Sequence, residues 1–600
     1  MRIAIIGAGP RGLLLAAALS TTSQPLQITL FDPAGIGGRV WRPEQSHLLL
    51  MNTEAEQITL FPDSSLPSAL ATPGPTLAEW AATAGASYIG AMSLAPDHKR
   101  HLVTEVISLR PQDYASRALY GCYLQWAYAR IQAALPQNIS LRLCRARVRS
   151  CKAGAVSGYR ITSAGAPRQY FDKVVFTLGN QALNPNAEES QLRAYAAQHG
   201  LHYSAPGFPD AADLSGNRVI IRGLGLSFFD VLTILTTGRG GHFTSGSNGR
   251  LRYVSSGAEP QIFAGSRSGV PYRAKPVQDK QPGHQYQPQL LTPARIASWQ
   301  QAGQVSAARL RKMLKLECEY VYYYRLLQDH PRQLAQFHAN FAEDPERAVT
   351  AIPRNQQLDW QQLLHPLPAA GPAQWRVNML RQLEKDIHSA AGGNCRDPQA
   401  SMIEALRDMR VPLRDIVQRG LLSGEDYFGT FRGEIMKNSN PLTVGPPLQR
   451  IRELHALVKA NIVTMLPPGM TVVGAAGQFV ASSSSAPNDR HSAPNLIEAR
   501  LPAIAAAQSQ DSLIQQLLAD GLASLHQLRM NDGSYRPTGA IAVNHDTWQM
   551  LNAAGQTQAA LYCWGIPTEG EFLLTTASPH PLVADVNIAA AQTIARSLLN

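Results

Sequence analysis

Cysteine is scarce in this chain of 600 residues: the six present, Cys122, Cys144, Cys151, Cys318, Cys395 and Cys563, include no C-x-x-C pair. So thin a set builds no disulfide framework, no paired-cysteine zinc site and no redox-active dithiol, and it fits a reducing cytoplasm. Long apolar runs are missing too, so no segment reads as a bilayer span and no membrane partner is expected. The apolar opening is broken at Gly7, Gly9, Pro10 and Gly12, where a strand-to-helix turn is expected in place of a secretory leader. There is no run of five or six like charges, although Lys and Arg (54) outnumber Asp and Glu (43). The excess is scattered and accompanies no nucleic-acid motif, which points to anionic small molecules and away from DNA or RNA. H-E-x-x-H, P-loop and G-x-S-x-G elements are also absent, so zincin, Walker-type and α/β-hydrolase chemistry are set aside and no metal is expected.

What remains is an ordinary globular composition, 44% hydrophobic and 16% charged, in a chain too long for one core. Residues 2–6 are apolar and β-branched, as a buried parallel strand should be, and residues 13–19 form an Ala/Leu-rich helical stretch. Between them stands Gly7-Ala8-Gly9-Pro10-Arg11-Gly12. In such a loop Gly7 permits the tight turn and Gly9 lets backbone approach a pyrophosphate. Gly12 lets helix and strand pack closely, and the phosphates sit at the helix N-terminus. A second strand, 27–31, ends at Asp32, about twenty positions on, where an acid binds the ribose hydroxyls. The motif alone does not separate FAD from NAD. Its N-terminal place and Pro10 within the loop favour FAD.

A second unit of the same kind begins at the strand 218–222 and enters Gly223-Leu224-Gly225-Leu226-Ser227-Phe228-Phe229-Asp230. The third glycine is replaced by Phe228, but two glycines remain and Ser227 can donate to a phosphate at the helix start. The next strand, 261–265, ends in Ser266-Arg267 where NAD binding would want an acid. An arginine there pairs with a 2′-phosphate, so NADPH is preferred over NADH; the competing reading is a solvated surface arginine. The fold class expected is α/β, with two Rossmann-like dinucleotide-binding domains and a helical insertion.

Further segments carry a resemblance: Gly37-Gly38-Arg39-Val40-Trp41-Arg42-Pro43, then Leu48-Leu49-Leu50-Met51-Asn52-Thr53, then Ser116-Arg117-Ala118-Leu119-Tyr120-Gly121. Together they resemble a bacterial family of FAD/NAD(P)-binding flavin monooxygenases. It includes the nitrosuccinate-forming aspartate N-hydroxylases and a urate hydroxylase, and it is more distantly similar to ornithine and lysine N-hydroxylases. The G-x-G-x-[ST]-F-F-D form of the second turn belongs to the same pattern. The resemblance implies that Arg39, Val40, Trp41, Asn52 and Thr53 lie along the flavin, where an indole and polar donors tune the ring. On their own residue chemistry, the competing reading is a core aromatic for Trp41 and a turn or helix cap for Asn52 and Thr53. Val174-Val175-Phe176-Thr177-Leu178-Gly179 resembles the strand that re-enters the FAD domain. In the stretch 561–570, Gly565 and Thr568 are implied to offer backbone amides to the flavin edge.

The organisation expected is a first part of the FAD domain at 1–210, an NAD(P)H domain at 211–494 with a helical, substrate-facing insertion at about 290–420, and completion of the FAD domain at 495–600. The tyrosines 320–324 read mainly as core packing. Arg432 and Lys437 read as surface charges, with contact to an acidic substrate as the sharper alternative. The activity implied is an NADPH-dependent monooxygenation with O2, N-hydroxylating a small amino acid or other amine through a flavin hydroperoxide. No catalytic side chain stands out. The competing readings are an oxidase, a partner-coupled reductase and a redox sensor that does not oxygenate.

Overall fold

In the computed structural model, which describes all residues except 67–71, 155–156, 166, 209–213, 215, 247–248 and 369, the chain divides into two units. One is built from Met1–Asn184 with Pro502–Asn600, the other from Pro185–Leu501. The first unit is ordered around a six-stranded sheet: Gln549–Leu551, Thr557–Cys563, Lys173–Phe176, Arg2–Ile6, Leu26–Phe31, Ile139–Cys144. All pairs are parallel except the antiparallel edge strand Gln549–Leu551. A parallel strand covered on both faces must be apolar throughout, which is why Ile3, Ala4, Ile5 and Ile6 are all buried. The helices Pro10–Leu19, Arg117–Ala133 and Val586–Leu599 pack into the same core, where each fully buried Leu or Ile is worth about 2 kcal/mol.

The second unit carries an all-parallel five-stranded sheet: Val463–Met465, Gln261–Gly265, Arg218–Arg222, Asn495–Glu498, His202–Ser204. Its helical insertion runs from Pro293–Ala302 to Leu448–Lys459, further than the expected limit near 420, and includes a π-helical stretch Tyr427–Met436. The polar stretch 482–494 is mostly the strand Ala486–Ala493, paired with Gln478–Ser483. In the insertion the long helix Ala307–Leu326 buries Tyr320 and Tyr323 against Phe337 and Phe341, so the tyrosine stripe packs a core. Glu317 on that helix is fully buried because its carboxylate accepts from the amides of Gln289, Leu290 and Leu291 and from the Tyr286 hydroxyl. A buried acid is tolerated when its lone pairs are so filled.

Two expected boundaries move. The junction at 210/211 lies outside the described residues, but the chain from Pro185 onward already belongs to the second unit. Asn495–Glu498, expected to open the completing segment, is instead an inner strand of the second sheet, hydrogen-bonded between Arg218–Arg222 and His202–Ser204. Among the described residues, no helix is long and apolar enough to cross a membrane.

Candidate dinucleotide sites

The strand Arg2–Ile6 passes into the helix Pro10–Leu19 through the first glycine turn. Gly7 adopts φ +116°, and a Cβ there would lie 2.6 Å from the Thr177 carbonyl oxygen. Gly12 faces the Gly7 carbonyl oxygen so closely that any side chain would overlap it. Gly9 differs: its φ is −73° and a Cβ would meet nothing within 4 Å. Pro10 fixes the first helical residue, and no side chain caps this helix, which leaves its N-terminal turn to an anion. Thr177 locks the turn from beneath, its Oγ1 donating to the Gly7 oxygen at 2.9 Å.

Asp32 ends the neighbouring strand and accepts from Ala8 N at 3.1 Å and Ala34 N at 2.9 Å. Burial raises its pKa above the ordinary carboxylate value, and these two amides act against the rise. Gly37 N donates to Ala8 O at 2.9 Å, so the loop carrying Gly37–Trp41 is stitched to the glycine turn. On that loop Arg39 donates to Asn180 O at 3.4 Å, beside the open Gly179. The Val40 carbonyl accepts from Gln45, and half-buried Trp41 meets Tyr120 edge-on at 5.1 Å. Asn52 is half-buried and Thr53 buried. The stretch before them is tied to the start of the helix Arg117–Ala133, with Met51 N donating to Ala115 O.

Arg11 is the residue whose setting sequence reasoning did not reveal. Its guanidinium donates to Asn587 Oδ1 at 3.2 Å and lies 5.7 Å from the Trp564 ring, while its buried Nε has no partner among the described residues. Burial lowers its pKa to about 10, against the attraction of Asp585 and Glu569. Gly565, at φ +108°, packs on the Arg11 side chain, which joins the first glycine turn to the strand Thr557–Cys563. Thr568 is fully buried, and its hydroxyl donates to Gly565 O at 2.8 Å, so the side chain shapes the turn. Asn587 thus joins the constellation from a position no local motif marks, and Thr177 and Trp564 join it from segments that the resemblance marked without giving them a role. A flavin dinucleotide fits these residues: an uncapped helix start, an open Gly9 and an unsatisfied buried arginine nitrogen answer a pyrophosphate.

In the second unit Arg218–Arg222 leads through Gly223 and Gly225 into the helix Leu226–Leu235, again without a side-chain cap. Ser227 is half-buried in its first turn, and Phe228, in place of the third glycine, is fully buried beside Phe229. The adjacent strand Gln261–Gly265 ends at Ser266, whose Oγ accepts from Gly269 N at 3.1 Å. Arg267 follows, exposed and without an ion pair among the described residues. The acid that a sequence search would seek here lies two strands over, on the far side of Arg218–Arg222. Glu498 is fully buried and accepts from Arg222 Nε at 3.0 Å and Arg500 Nε at 3.2 Å, so two arginines neutralise it. Arg432 is exposed on the π-helical stretch, and Lys437 is exposed at the start of the next helix. Below Tyr272 the buried pair Arg273–Asp386 spans 3.7 Å, and Ala274 N donates to Asp386 at 2.8 Å.

Residues 4–181 match a family model described as FAD-NAD(P)-binding. Along its whole length the chain is 34% identical to L-aspartate N-monooxygenase (nitrosuccinate-forming) of Streptomyces davaonensis, of which 97% is covered. The chain belongs to this N-monooxygenase family. Nitrosuccinic acid synthase of Aspergillus oryzae, 32% identical with 92% of its length covered, is a further relative. Among solved structures, ornithine N-hydroxylase of Kutzneria sp. 744 aligns over 100% of this chain and 98% of its own, at 12% identity and a TM-score of 0.42. As a family member the chain is an FAD- and NAD(P)-binding oxidoreductase of the monooxygenase type.

Proposed function

We propose that this chain N-hydroxylates L-aspartate, consuming NADPH and O2, with FAD held in the first unit and NADPH in the second. The observation that carries the substrate is full-length similarity to relatives named for aspartate and nitrosuccinate. Bound FAD supplies the relay of two electrons from NADPH to dioxygen. The chain's own residues do the rest. Gly9 and the uncapped start of Pro10–Leu19 receive the pyrophosphate, and Asp32, with lone pairs remaining on both oxygens, accepts from ribose hydroxyls. Arg11, within the same turn, has a buried Nε–H without a partner among the described residues. Arg39, Val40, Trp41, Asn52, Thr53, Gly179 and Gly565 line the remainder, and Thr568, whose amide and hydroxyl both donate to the Gly565 carbonyl, shapes the turn behind it. Gly223, Gly225, Ser227 and Ser266 do the equivalent for NADPH, and unpaired Arg267 takes its 2′-phosphate.

The test is NADPH consumption by the FAD-loaded protein in air, with and without a panel of amino acids, while hydrogen peroxide is followed and 18O2 is traced. Aspartate alone should stimulate turnover with little peroxide, and one 18O atom should appear on nitrogen in the first product. A flat response across the panel would remove the aspartate assignment. Label absent from every product would favour an oxidase or a partner-coupled reductase.

Arg267→Ala should raise the KM for NADPH by about tenfold or more, because a charge-assisted contact contributes on the order of 1.5–3 kcal/mol. The KM for NADH should stay within about twofold. Unchanged NADPH kinetics would return Arg267 to the solvated surface.

A further inference from the structure

The hairpin Leu525–Arg529 with Tyr535–Ile541, the loop beyond it and the turn after Thr568 bring three metal-ligand side chains together in the first unit. One ligand-type atom from each of His526, His545 and Glu571 lies within 4.8 Å of the other two. We propose that these residues form a binding site for a divalent transition-metal ion, Zn2+ by preference, with a fourth position open to water. Two imidazoles and one carboxylate suit zinc, whereas calcium and magnesium want oxygen donors throughout.

The hydrogen bonds around the trio prepare it for a cation. Thr538 Oγ1 lies 3.3 Å from the His526 carbonyl oxygen and 3.1 Å from His526 Nδ1. A carbonyl only accepts, so when the hydroxyl donates to it, Nδ1–H of the ring donates to Oγ1. The neutral ring then keeps a bare lone pair on Nε2. Glu571 is 3% exposed; its Oε2 accepts from Val543 N at 3.1 Å, while Oε1 meets His545 Nε2 at 2.8 Å. Thr538 and the Val543 amide thus act as outer partners that fix a tautomer and orient a carboxylate. The cation takes the place of the hydrogen bond between His545 and Glu571: Zn2+ accepts a lone pair from each, and the neutral His545 ring carries its one proton on Nδ1.

Zinc bonds of about 2.0–2.2 Å place tetrahedral ligand atoms roughly 3.4 Å apart, so the trio must draw in. His545 is the most exposed of the three ligands, its side chain 39% exposed, and is the one that shifts. Glu571 follows Gly570, whose backbone packs on Thr538, so a bound ion ties the hairpin to the turn containing Gly565 and Thr568. The site does not rest on the flavin reaction.

The experiment uses full-length, FAD-loaded protein, stripped with chelator and then titrated with Zn2+, with Co2+ as a visible probe. Expected are one Zn2+ retained per chain after dialysis, a raised Tm and the intense ligand-field bands of four-coordinate Co2+. His526→Gln and His545→Asn should lose all three while keeping their FAD absorbance. Because His545 is exposed, its variant tests the site without disturbing the core. Failure of the wild-type chain to retain stoichiometric Zn2+, or equal retention by wild type and both variants, would overturn the assignment.

Discussion

Gly9→Val is expected to leave the apo fold intact and to abolish FAD retention. The backbone at Gly9 is extended, and a Cβ there touches nothing within 4 Å, so the protein itself has room for the side chain. The pyrophosphate has none, because it must approach that backbone to reach the uncapped helix start. Loss of about 3 kcal/mol of binding corresponds to roughly 100-fold in Kd, enough for the purified variant to emerge colourless and without NADPH oxidation. Gly12→Ala supplies the contrast. Its methyl would overlap the Gly7 carbonyl oxygen, so that variant should lose thermal stability even without flavin. Normal FAD content in Gly9→Val would move the pyrophosphate elsewhere.

Asp386→Asn is expected to stabilise the protein at neutral pH although it removes one partner of an ion pair. Burial, with Asp386 6% exposed, pushes its carboxyl from 3.8 up to about 6, despite Arg273 and the Ala274 amide. Burial also lowers the pKa of Arg273. The folded chain therefore holds more protons than the unfolded chain between about pH 4 and 6. Stability from this group falls as pH rises through that window, by about 3 kcal/mol. Below about pH 4 the acid is protonated in both states, and asparagine closely resembles it while still accepting from Ala274 N. The stability difference between variant and wild type should thus be small near pH 4 and grow to about 3 kcal/mol in the variant's favour by pH 7. Urea unfolding at both values measures it. A variant several kcal/mol less stable at pH 7 would show that the attraction of Arg273 exceeds the cost of burial.

Much of the architecture was legible because glycine spacing and apolar strands are local signals. Arg2–Ile6, the turn to Pro10–Leu19 and the strands ending at Asp32 and Gly265 follow from residues adjacent in the chain. Sheet membership is not local. Asn495–Glu498 holds only two apolar residues, and nothing in the four says that Arg218–Arg222 is its neighbour. The same holds for side-chain partners. Arg11 was visible inside the motif, whereas its bond to Asn587 spans most of the chain. Thr568 looked like a donor to a ligand, and only the fold shows its hydroxyl committed to Gly565. The His526, His545 and Glu571 trio escaped because its members are too widely spaced for any short metal motif.

The discontinuity of the first unit also governs how the molecule is made. Pro185–Leu501 is continuous and can fold while the ribosome is still working. The strand Lys173–Phe176, by contrast, leaves the ribosome long before its parallel neighbour Thr557–Cys563 exists. Its edge must wait, exposed, through the synthesis of an entire intervening unit, and such an edge invites aggregation until it is paired. Flavin capture is thereby deferred until Pro502–Asn600 has emerged, and a nascent chain that stalls before that segment is a client for chaperones.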